Sequence, residues 1–294
     1  MNGIINVYKE KNMSSHAVVG KIRHILNTKQ VGHLGTLDPL AEGVLVVLVG
    51  GATKLAPYLE DDHKTYEAEV ILGFSTTTYD LEGEEVARDD ASEVTQKEID
   101  DVLKSFLGTQ QQMPPIYSAI KINGKKLYEY ARKNQSIDIP PRNITIYSIE
   151  RSSEIYHVQK MIKFKITAKV SRGTYMRSLC FDIGEKLKVP SCMGYLKRLE
   201  SGDFKLADSV KLEDITLENP HLLNPLDFLK KYFVYECGDN VELCHKITNG
   251  MKISLKTFNE RHSIVIFSKN NVVLAVYQLV ESEKPYYQAV RVWK

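Results

Sequence analysis

Apolar and polar residues alternate along the chain with two different periods, so the sequence predicts both helices and strands. Residues 3–8 are typical of a short strand, and a helix is expected to begin at Ser14 or Ser15, where apolar residues start to recur at helical spacing. The apolar run 44–49 is too short for a helix. It predicts a strand that is buried on both faces.

Later segments keep this mixture of periods. Residues 64–72 alternate and predict a half-buried strand with Tyr66 on its inner side. Thr95 and Glu98 form a capping box that opens a helix, and Gly108 closes that helix. Further strands are expected at 143–150 and 160–171, and a further helix at 175–187. Periodicity therefore predicts a mixture of helices and strands.

Turn-forming residues divide the chain into regions. Prolines before Asn123-Gly124 and basic residues after it predict an excursion from the sheet, which we place at about 121–150. After residue 230 the pattern changes to short strands separated by asparagine-containing turns. We therefore expect a large domain over residues 1–230 and a small β-rich domain over residues 235–294.

The composition is that of a globular protein, with 294 residues, 43% of them hydrophobic and 26% charged. The longest apolar run has six residues, whereas a membrane span needs roughly 20. Charge at residues 9–11 lies where the apolar part of a secretory signal would have to be, so we expect a cytoplasmic protein. The spacing of the four cysteines fits neither a zinc site nor a disulfide framework, so reduced thiols and no metal are expected.

Charge is distributed unevenly along a chain whose net charge is only +2. Residues 59–101 carry 15 acids and 3 bases, so this part is expected to avoid phosphates. Residues 156–177 carry six bases and no acid, and residues 121–142 carry six bases and two acids. The basic segments, with their interleaved tyrosines, favour a surface for a polyanion. Solvated faces that balance the acidic segment explain the same charges equally well.

The segment 32–43, GHLGTLDPLAEG, has an unusual composition for a connection between strands. Its glycines allow close backbone approach or positive φ, and the Asp38-Pro39 step keeps Asp38 out of helical geometry. A carboxylate is thus held where the strand 44–49 begins. On spacing alone, the simplest explanation of Asp38 is an Asx-turn.

This loop and the residues after it, GHLGTLDPLAEGVLVVLVGGATKLAPYL, resemble the aspartate motif of the TruB-type tRNA pseudouridine synthases. The resemblance continues in order over about residues 3–230, and the segment ITNGMKI near the C-terminus matches more loosely. The matching segments are KTYEAEVILG, TTTYDLEGE, MPPIYSAIKINGKKLYEYAR, SRGTYMRSLCFDIGEKL and YLKRLESGDFKLADSVKLEDI.

The resemblance implies the α+β fold of the pseudouridine synthases, a mixed, antiparallel-rich sheet with flanking helices and a central RNA cleft, plus a small PUA-like β-rich C-terminal domain. It implies a monomeric enzyme that isomerises the uridine at position 55, in the TΨC loop of tRNA. The enzyme would flip the base out of the T-arm stem-loop, break the N1–C1′ bond and rejoin the uracil through C5, with no metal and no cofactor.

The catalytic residues that the resemblance implies are Asp38, Tyr66 and Arg177. Asp38 matches the essential aspartate of the family, which acts as nucleophile or base at the sugar or the ring. Arg177 matches an arginine partner, and a guanidinium is sensible there because it orients the carboxylate oxygens and stabilises their charge. Tyr66 matches a tyrosine that stacks on the uracil and is a candidate for removing the C5 proton. Without the resemblance, the simplest interpretation of Arg177 is a contact with a phosphate group. The simplest interpretation of Tyr66 is a residue of the hydrophobic core.

Other matched residues are implied to hold the substrate. Leu196 would pack on the base, His33 would stack near the flipped nucleotides, and Tyr175 would form part of the pocket wall. Without the resemblance, Leu196 is expected to be a core residue of a helix, and His33 is expected to form a hydrogen bond within the loop. Lys9 lies where the family carries K-P-x-G-x-S-S, although this chain reads KEKNMSS, without the proline and glycine. The excursion resembles a mobile RNA-clamping insertion, with basic residues that include Lys125, Lys126 and Arg132.

Two other functions fit the same residues. A related lineage of these enzymes works inside a guide-RNA ribonucleoprotein, but the chain has no long basic tail, which favours the stand-alone form. An RNA-binding factor that helps tRNA to fold, with catalysis secondary or absent, is the alternative outside the enzymes. An intact set of catalytic residues argues against absent catalysis, because a binding protein has no need of an ionised aspartate facing phosphates.

Overall fold

The chain folds around one large sheet in the computed structural model, which describes residues 1–60, 63–118, 120–131, 133, 135 and 137–293. None of the helices in these ranges is long and apolar enough to cross a membrane. The helices are α1 Ser15–Ile25, α2 Ala56–Leu59, α3 Gln96–Lys104, α4 Leu127–Ala131, α5 Met176–Leu187 and α6 Val241–Thr248.

The strands of the described ranges form two large sheets and two small hairpins. In chain order they are β1 Gly3–Lys9, β2 Val31–Leu34, β3 Glu42–Val49, β4 His63–Leu72, β5 Phe74–Thr76, β6 Glu85–Arg88, β7 Gly108–Gln112, β8 Lys121–Ile122, β9 Lys125–Lys126, β10 Arg142–Arg151, β11 Tyr156–Val158, β12 Met161–Ser171, β13 Ser191–Ser201, β14 Phe204–Lys205, β15 Val210–Lys211, β16 Phe233–Glu236, β17 Ile253–Ser254, β18 Ile264–Lys269, β19 Val272–Val280 and β20 Tyr286–Val292. The central sheet runs β15-β1-β3-β13-β4-β12-β10-β7, with β2, β11 and β14 paired beside this path.

Most pairs in the central sheet are antiparallel, and β1 with β15 and β3 with β13 run parallel. The predicted mixed, antiparallel-rich sheet with flanking helices is therefore confirmed. β3 is buried along residues 43–49, as its continuous apolar run predicts. Thr95 and Glu98 form the predicted capping box at the start of α3, and Ser14 caps α1.

The alternation along β4 gives the central sheet two chemically different faces. Tyr66 of β4 pairs with Arg198 of β13, and these two residues and Leu196 are buried. We call this side, which packs on α3 and α5, the inner face. Glu67 of β4 and Lys165 of β12 lie on the opposite side, the outer face, and form an ion pair of 3.2 Å there.

Three sequence-based expectations need correction because strand pairing overrides local composition. β2 pairs with β3, so the loop predicted over 32–43 shortens to residues 35–41. β10 begins at Arg142 and pairs with both β7 and β12, so the excursion predicted over 121–150 ends before Arg142. The segment that contains Leu196 belongs to β13, so its alternative as a helix-core residue was wrong.

Residues 233–292 form the second sheet, in the order β16-β18-β19-β20-β17, together with α6. The strand-and-turn pattern did not predict α6, which begins where the side chain of Asn240 accepts a hydrogen bond from the Leu243 N–H. One apolar cluster joins this sheet to the central one through residues such as Val46 and Ile266. The exact division at residues 230 and 235 stays a prediction.

Candidate active site

The loop of residues 35–41 joins β2 to β3 and carries Asp38. Gly35 has a φ of +65° and Gly43, just after the loop, a φ of +105°. A Cβ on Gly43 would collide with the backbone of Arg198 on the neighbouring β13. Glycine is therefore required at position 43 both by the left-handed backbone and by the close approach of another strand.

Arg177, in the first turn of α5, is buried between two carboxylates. Its Nη2 lies 3.0 Å from Oδ2 of Asp38, and its Nη1 lies 3.5 Å from Oδ2 of Asp80. The same guanidinium donates to the carbonyl oxygens of Thr78, at 3.3 Å, and Tyr117, at 3.0 Å. Four acceptors thus fix the plane of the guanidinium. The Asp38 side chain stays 45% exposed, against 8% for Asp80, so Asp38 is the carboxylate that a reactant can reach.

Asp80 is the residue of this network that the sequence did not single out. It lies in the segment TTTYDLEGE, which carried part of the resemblance, but no spacing links it to an arginine far along the chain. Its Oδ1 accepts hydrogen bonds from Thr78 Oγ1 and from the Glu82 N–H. A buried carboxylate needs such partners. The sequence signal that could have indicated Asp80 is its position as an acidic residue in a turn-forming segment that matches the family.

Asp38 and Arg177 line a cavity of about 400 Å³. Tyr66 and Leu196 reach it from the inner face of the sheet, and Tyr175 reaches it from the residue before α5. Gln112 fixes the backbone of Tyr175, because its side chain both accepts from the N–H, at 2.8 Å, and donates to the carbonyl oxygen, at 3.1 Å. Burial raises the pKa of the Tyr175 phenol.

Five of the predicted site residues therefore meet at one cavity, although they come from four separate parts of the chain. A volume of this size is in the range of small-molecule and nucleotide sites. Aromatic and aliphatic groups on one side and a carboxylate with its arginine on the other suit a flat, polar ring that must be stacked and attacked.

Basic side chains complete the wall of this cavity, namely Lys64, Arg142, Arg172 and Arg198. Glu60 also lines it and pairs with Arg172 at 3.0 Å. The acidic segment 59–101 thus contributes Glu60, Lys64 and Tyr66 to the cavity, and its avoidance of phosphates stays a prediction. Acidic and basic residues that lie in separate segments of the sequence are thus brought together at the cavity by the sheet.

Lys9, which was predicted to hold the substrate, lies beneath the loop instead. It is 1% exposed, and its Nζ donates to the carbonyl oxygens of Glu10 at 2.9 Å, Pro39 at 3.3 Å and Ala41 at 2.5 Å. Burial lowers its pKa from 10.5 to about 8, and the charge of Asp38 opposes that shift. The geometry therefore assigns Lys9 to the loop backbone, and it does so without the proline and glycine of the family pattern.

His33 lies on β2 and does not reach the cavity lining. Its ring stands edge-on to that of His16, with 6.3 Å between the ring centroids. Its Nδ1 is buried without a hydrogen-bond partner among the described residues. Burial, and next the charge of His16, lowers its pKa. A contact of His33 with RNA stays a prediction.

The basic excursion starts directly after Ile120, which lines the cavity. Its hairpin of β8 and β9 forms a two-stranded sheet of its own that contains Lys125 and Lys126, and the Lys125 ammonium lies 6.0 Å from the centroid of the Tyr130 ring. Arg132 lies outside the described residues. The RNA contacts proposed for these three basic residues stay predictions.

Within the described ranges, no three His, Cys, Asp or Glu side chains are grouped so that they could hold a metal ion. The cysteines there are free, and three of the four are buried.

Solved structures share this architecture. The structure of a Cbf5-Nop10-Gar1 complex aligns with a TM-score of 0.68 at 24% identity, over 99% of this chain and 84% of that chain. The structure of an H/ACA RNP bound to a substrate RNA containing 2′-deoxyuridine aligns with a TM-score of 0.61 at 23% identity, over 99% and 84% of the two chains. At this identity the likeness shows the fold alone. With the cavity and its aspartate, the fold is that of a pseudouridine synthase.

Family models and curated relatives identify the family, whereas the solved structures show only the fold. The model of the TruB family pseudouridylate synthase N-terminal domain matches residues 23–176, and that of the tRNA pseudouridylate synthase B C-terminal domain matches residues 177–224. A protein of Staphylococcus haemolyticus called tRNA pseudouridine synthase B is 43% identical over 94% of each chain. One of the same name from Bacillus pumilus is 41% identical over 94% of this chain and 93% of the relative. The chain belongs to the TruB family of pseudouridylate synthases.

Proposed function

We propose that this protein is a tRNA pseudouridine synthase that converts the uridine at position 55, in the TΨC loop, into pseudouridine. The observation that carries the proposal is the half-exposed Asp38, paired with buried Arg177 at a cavity that Tyr66 and Leu196 line. Membership of the TruB family and the names of the relatives support the same activity.

The reaction exchanges one bond of the nucleotide for another. The N1–C1′ bond breaks, the uracil turns, and a C5–C1′ bond forms. C5 loses a proton and N1 gains one, so the product is an isomer of the substrate and no electrons are transferred. Asp38 acts on the sugar or the ring as nucleophile or base, and Arg177 holds its carboxylate in place. Tyr66 stacks on the uracil and is the candidate for taking the C5 proton.

The target base must first leave its stack in the folded loop, which requires a few kcal/mol for unstacking. The cavity receives the flipped uridine, and Tyr175 and Leu196 replace part of the lost stacking. Lys125 and Lys126 bind phosphates of the T-arm stem-loop, the RNA partner of this enzyme. The protein acts in the cytoplasm as a monomer.

The first experiment measures tritium release from T-arm RNA that carries uridine labelled at C5. Wild-type protein and Asp38→Asn are compared in a buffer that contains EDTA. We expect release by the wild type alone, with the RNA affinity of the variant within a few-fold of wild type. No release despite tight RNA binding would favour the folding-factor alternative, and a large loss of affinity in Asp38→Asn would assign the aspartate a structural role.

A second experiment tests the RNA surface. The double variant Lys125→Ala, Lys126→Ala should raise KM several-fold and reduce the salt dependence of RNA binding, since each phosphate contact contributes to that slope. The single-turnover rate at saturation should change little. The matched control is Lys97→Ala, Lys104→Ala, which removes the same charge from exposed positions of α3. An equal salt slope in both double variants would remove the excursion from the interface.

A further inference from the structure

The backbone on both sides of Asp38 is held by buried side chains from other elements. After Asp38, Lys9 donates to the carbonyl oxygens of Pro39 and Ala41. Before Asp38, the hydroxyl of Ser15 accepts from the Leu37 N–H at 2.9 Å and donates to the Leu37 carbonyl oxygen at 3.0 Å. Both polar groups of Leu37 are therefore satisfied by one oxygen atom.

Ser15 is suited to this task by its place in the fold. It is the first residue of α1 and only 2% exposed, and the Leu37 that it holds is itself 3% exposed, in the core of the inner face. So little of the pair is exposed that the backbone groups of Leu37 depend on the hydroxyl for their hydrogen bonds. Ser15 does not line the cavity, so it acts on a reactant only through the loop.

We propose that Ser15 is a positioning residue for Asp38, a role that rests on the proposed isomerase function. The two hydrogen bonds fix the peptide planes on either side of Leu37, and the second of these planes ends at the Cα of Asp38. With Pro39 restricting the backbone on the other side, the Cα of Asp38 has one position. A misplacement of about 1 Å at a reacting group costs on the order of 10²-fold in rate.

The neighbouring serine supplies a matched control. Ser14 is the N-cap of the same helix and is exposed, and its hydroxyl accepts from the Ala17 N–H at 3.1 Å. Loss of the Ser14 hydroxyl weakens α1 but leaves the loop untouched. Loss of the Ser15 hydroxyl removes the loop contacts but leaves the cap in place.

The test compares wild type, Ser14→Ala, Ser15→Ala and Ser15→Cys. A cysteine fills the same space with a poor hydrogen-bonding group, so Ser15→Cys separates the hydrogen bonds from packing. We expect at least a tenfold loss of the single-turnover rate in both Ser15 variants, with RNA affinity within twofold. Ser14→Ala should lower Tm and keep the rate within twofold of wild type. If Ser15→Ala does not fold, Ser15→Cys decides the question.

Hydrogen exchange of the peptide that contains Leu37 gives a readout that does not depend on activity. Its amide should exchange faster in Ser15→Cys than in wild type and Ser14→Ala. The inference is overturned if Ser15→Cys keeps the wild-type rate within twofold, loses affinity as much as rate, or leaves the exchange unchanged. A wild type that releases no tritium but shows the expected exchange would instead contradict the isomerase function.

Discussion

The cavity and the outer face of the sheet both pair a basic residue with a carboxylate, and the two pairs differ in how far the basic residue is buried. On the outer face, Lys165 pairs with Glu67 at 3.2 Å, and the two side chains are 42% and 25% exposed. In the cavity, Arg177 is 7% exposed and contacts Asp38 and Asp80. The chemistry of the pairs is similar, so burial makes the difference.

The difference in burial indicates which charged pair can act on a substrate. An exposed pair is screened by water and contributes little to stability or to chemistry. A buried guanidinium with four acceptors holds its geometry, and it leaves one partly exposed carboxylate, Asp38, oriented toward the cavity. The following predictions test whether rate follows the buried network and not the exposed one.

Among substitutions of the residues that hold Asp38, the largest loss of rate is expected from Arg177→Lys. An ammonium keeps the charge but cannot contact two carboxylates and two carbonyl oxygens in one plane. The single-turnover rate should fall by about 10²- to 10³-fold with RNA affinity little changed. Arg151→Lys is the control, because Arg151 makes a two-point contact with Asp100 and neither residue lines the cavity. A similar loss in the control would show that general destabilisation is responsible.

A smaller loss of the single-turnover rate is expected from Asp80→Asn. The amide keeps the size of the side chain and can still accept from Thr78, but Arg177 then has one carboxylate partner in place of two. We expect the rate to fall by about 10- to 10²-fold, because the guanidinium is less firmly placed beside Asp38. Rapid-quench measurement at saturating RNA checks this. An unchanged rate with a lowered Tm would make Asp80 a purely structural residue.

Lys9 predicts a pH dependence in which stability and activity have opposite signs. Its folded pKa of about 8 lies below the ordinary 10.5, so between these values the unfolded chain binds a proton that the folded chain does not. The contribution of Lys9 to stability therefore rises with pH through this window. Activity should fall several-fold above about pH 8, because the neutral amine has two N–H groups for the carbonyl oxygens of Glu10, Pro39 and Ala41.

A pH–rate profile from 6.5 to 9.5 at saturating RNA measures this alkaline decline, with RNA stability checked at each pH. Lys9→Met lacks the titrating group, so its profile should stay flat across the same range at a lower rate. If the variant shows the same decline as wild type, another group is responsible.

The smallest effect on the rate is expected from a substitution on the outer face. Lys165→Ala should leave the rate within twofold of wild type and lower the free energy of unfolding by about 0.5 kcal/mol, the usual value of an exposed pair. Urea unfolding and the tritium assay measure the two quantities. A tenfold loss of rate would show that the exposed pair is coupled to the cavity and would break the comparison drawn above.

Local patterns predicted much of the fold. The apolar run 44–49, the alternation around Tyr66 and the capping box at Thr95 each reappear as an element of the expected type, because each depends on residues close in sequence. Expectations failed where strand pairing decided the outcome. β2 pairs with β3 inside the segment that composition assigns to a loop, and β10, which the pattern predicts as a strand, belongs to the central sheet and not to the excursion.

The candidate site divides in the same way. The resemblance carried by the motifs named Asp38, Tyr66, Tyr175, Arg177 and Leu196, and these residues do meet at one cavity. It gave Lys9 a place at the substrate, although its ammonium is buried under the loop. It assigned no role in the site to Asp80 or Ser15, because each acts through a contact with a residue in another segment of the chain.

The sequence by itself determined most of the longer elements and the family. It also determined the turn that presents Asp38, since glycine and proline set backbone conformation locally. The tertiary structure alone decided which charges are buried together and which face water. That outcome depends on the register of β4, β12 and β13 and on the docking of α5, where one turn brings Arg177 between carboxylates from two other segments. Electrostatic strength depends on distance and burial, and neither is a property of a position in the chain.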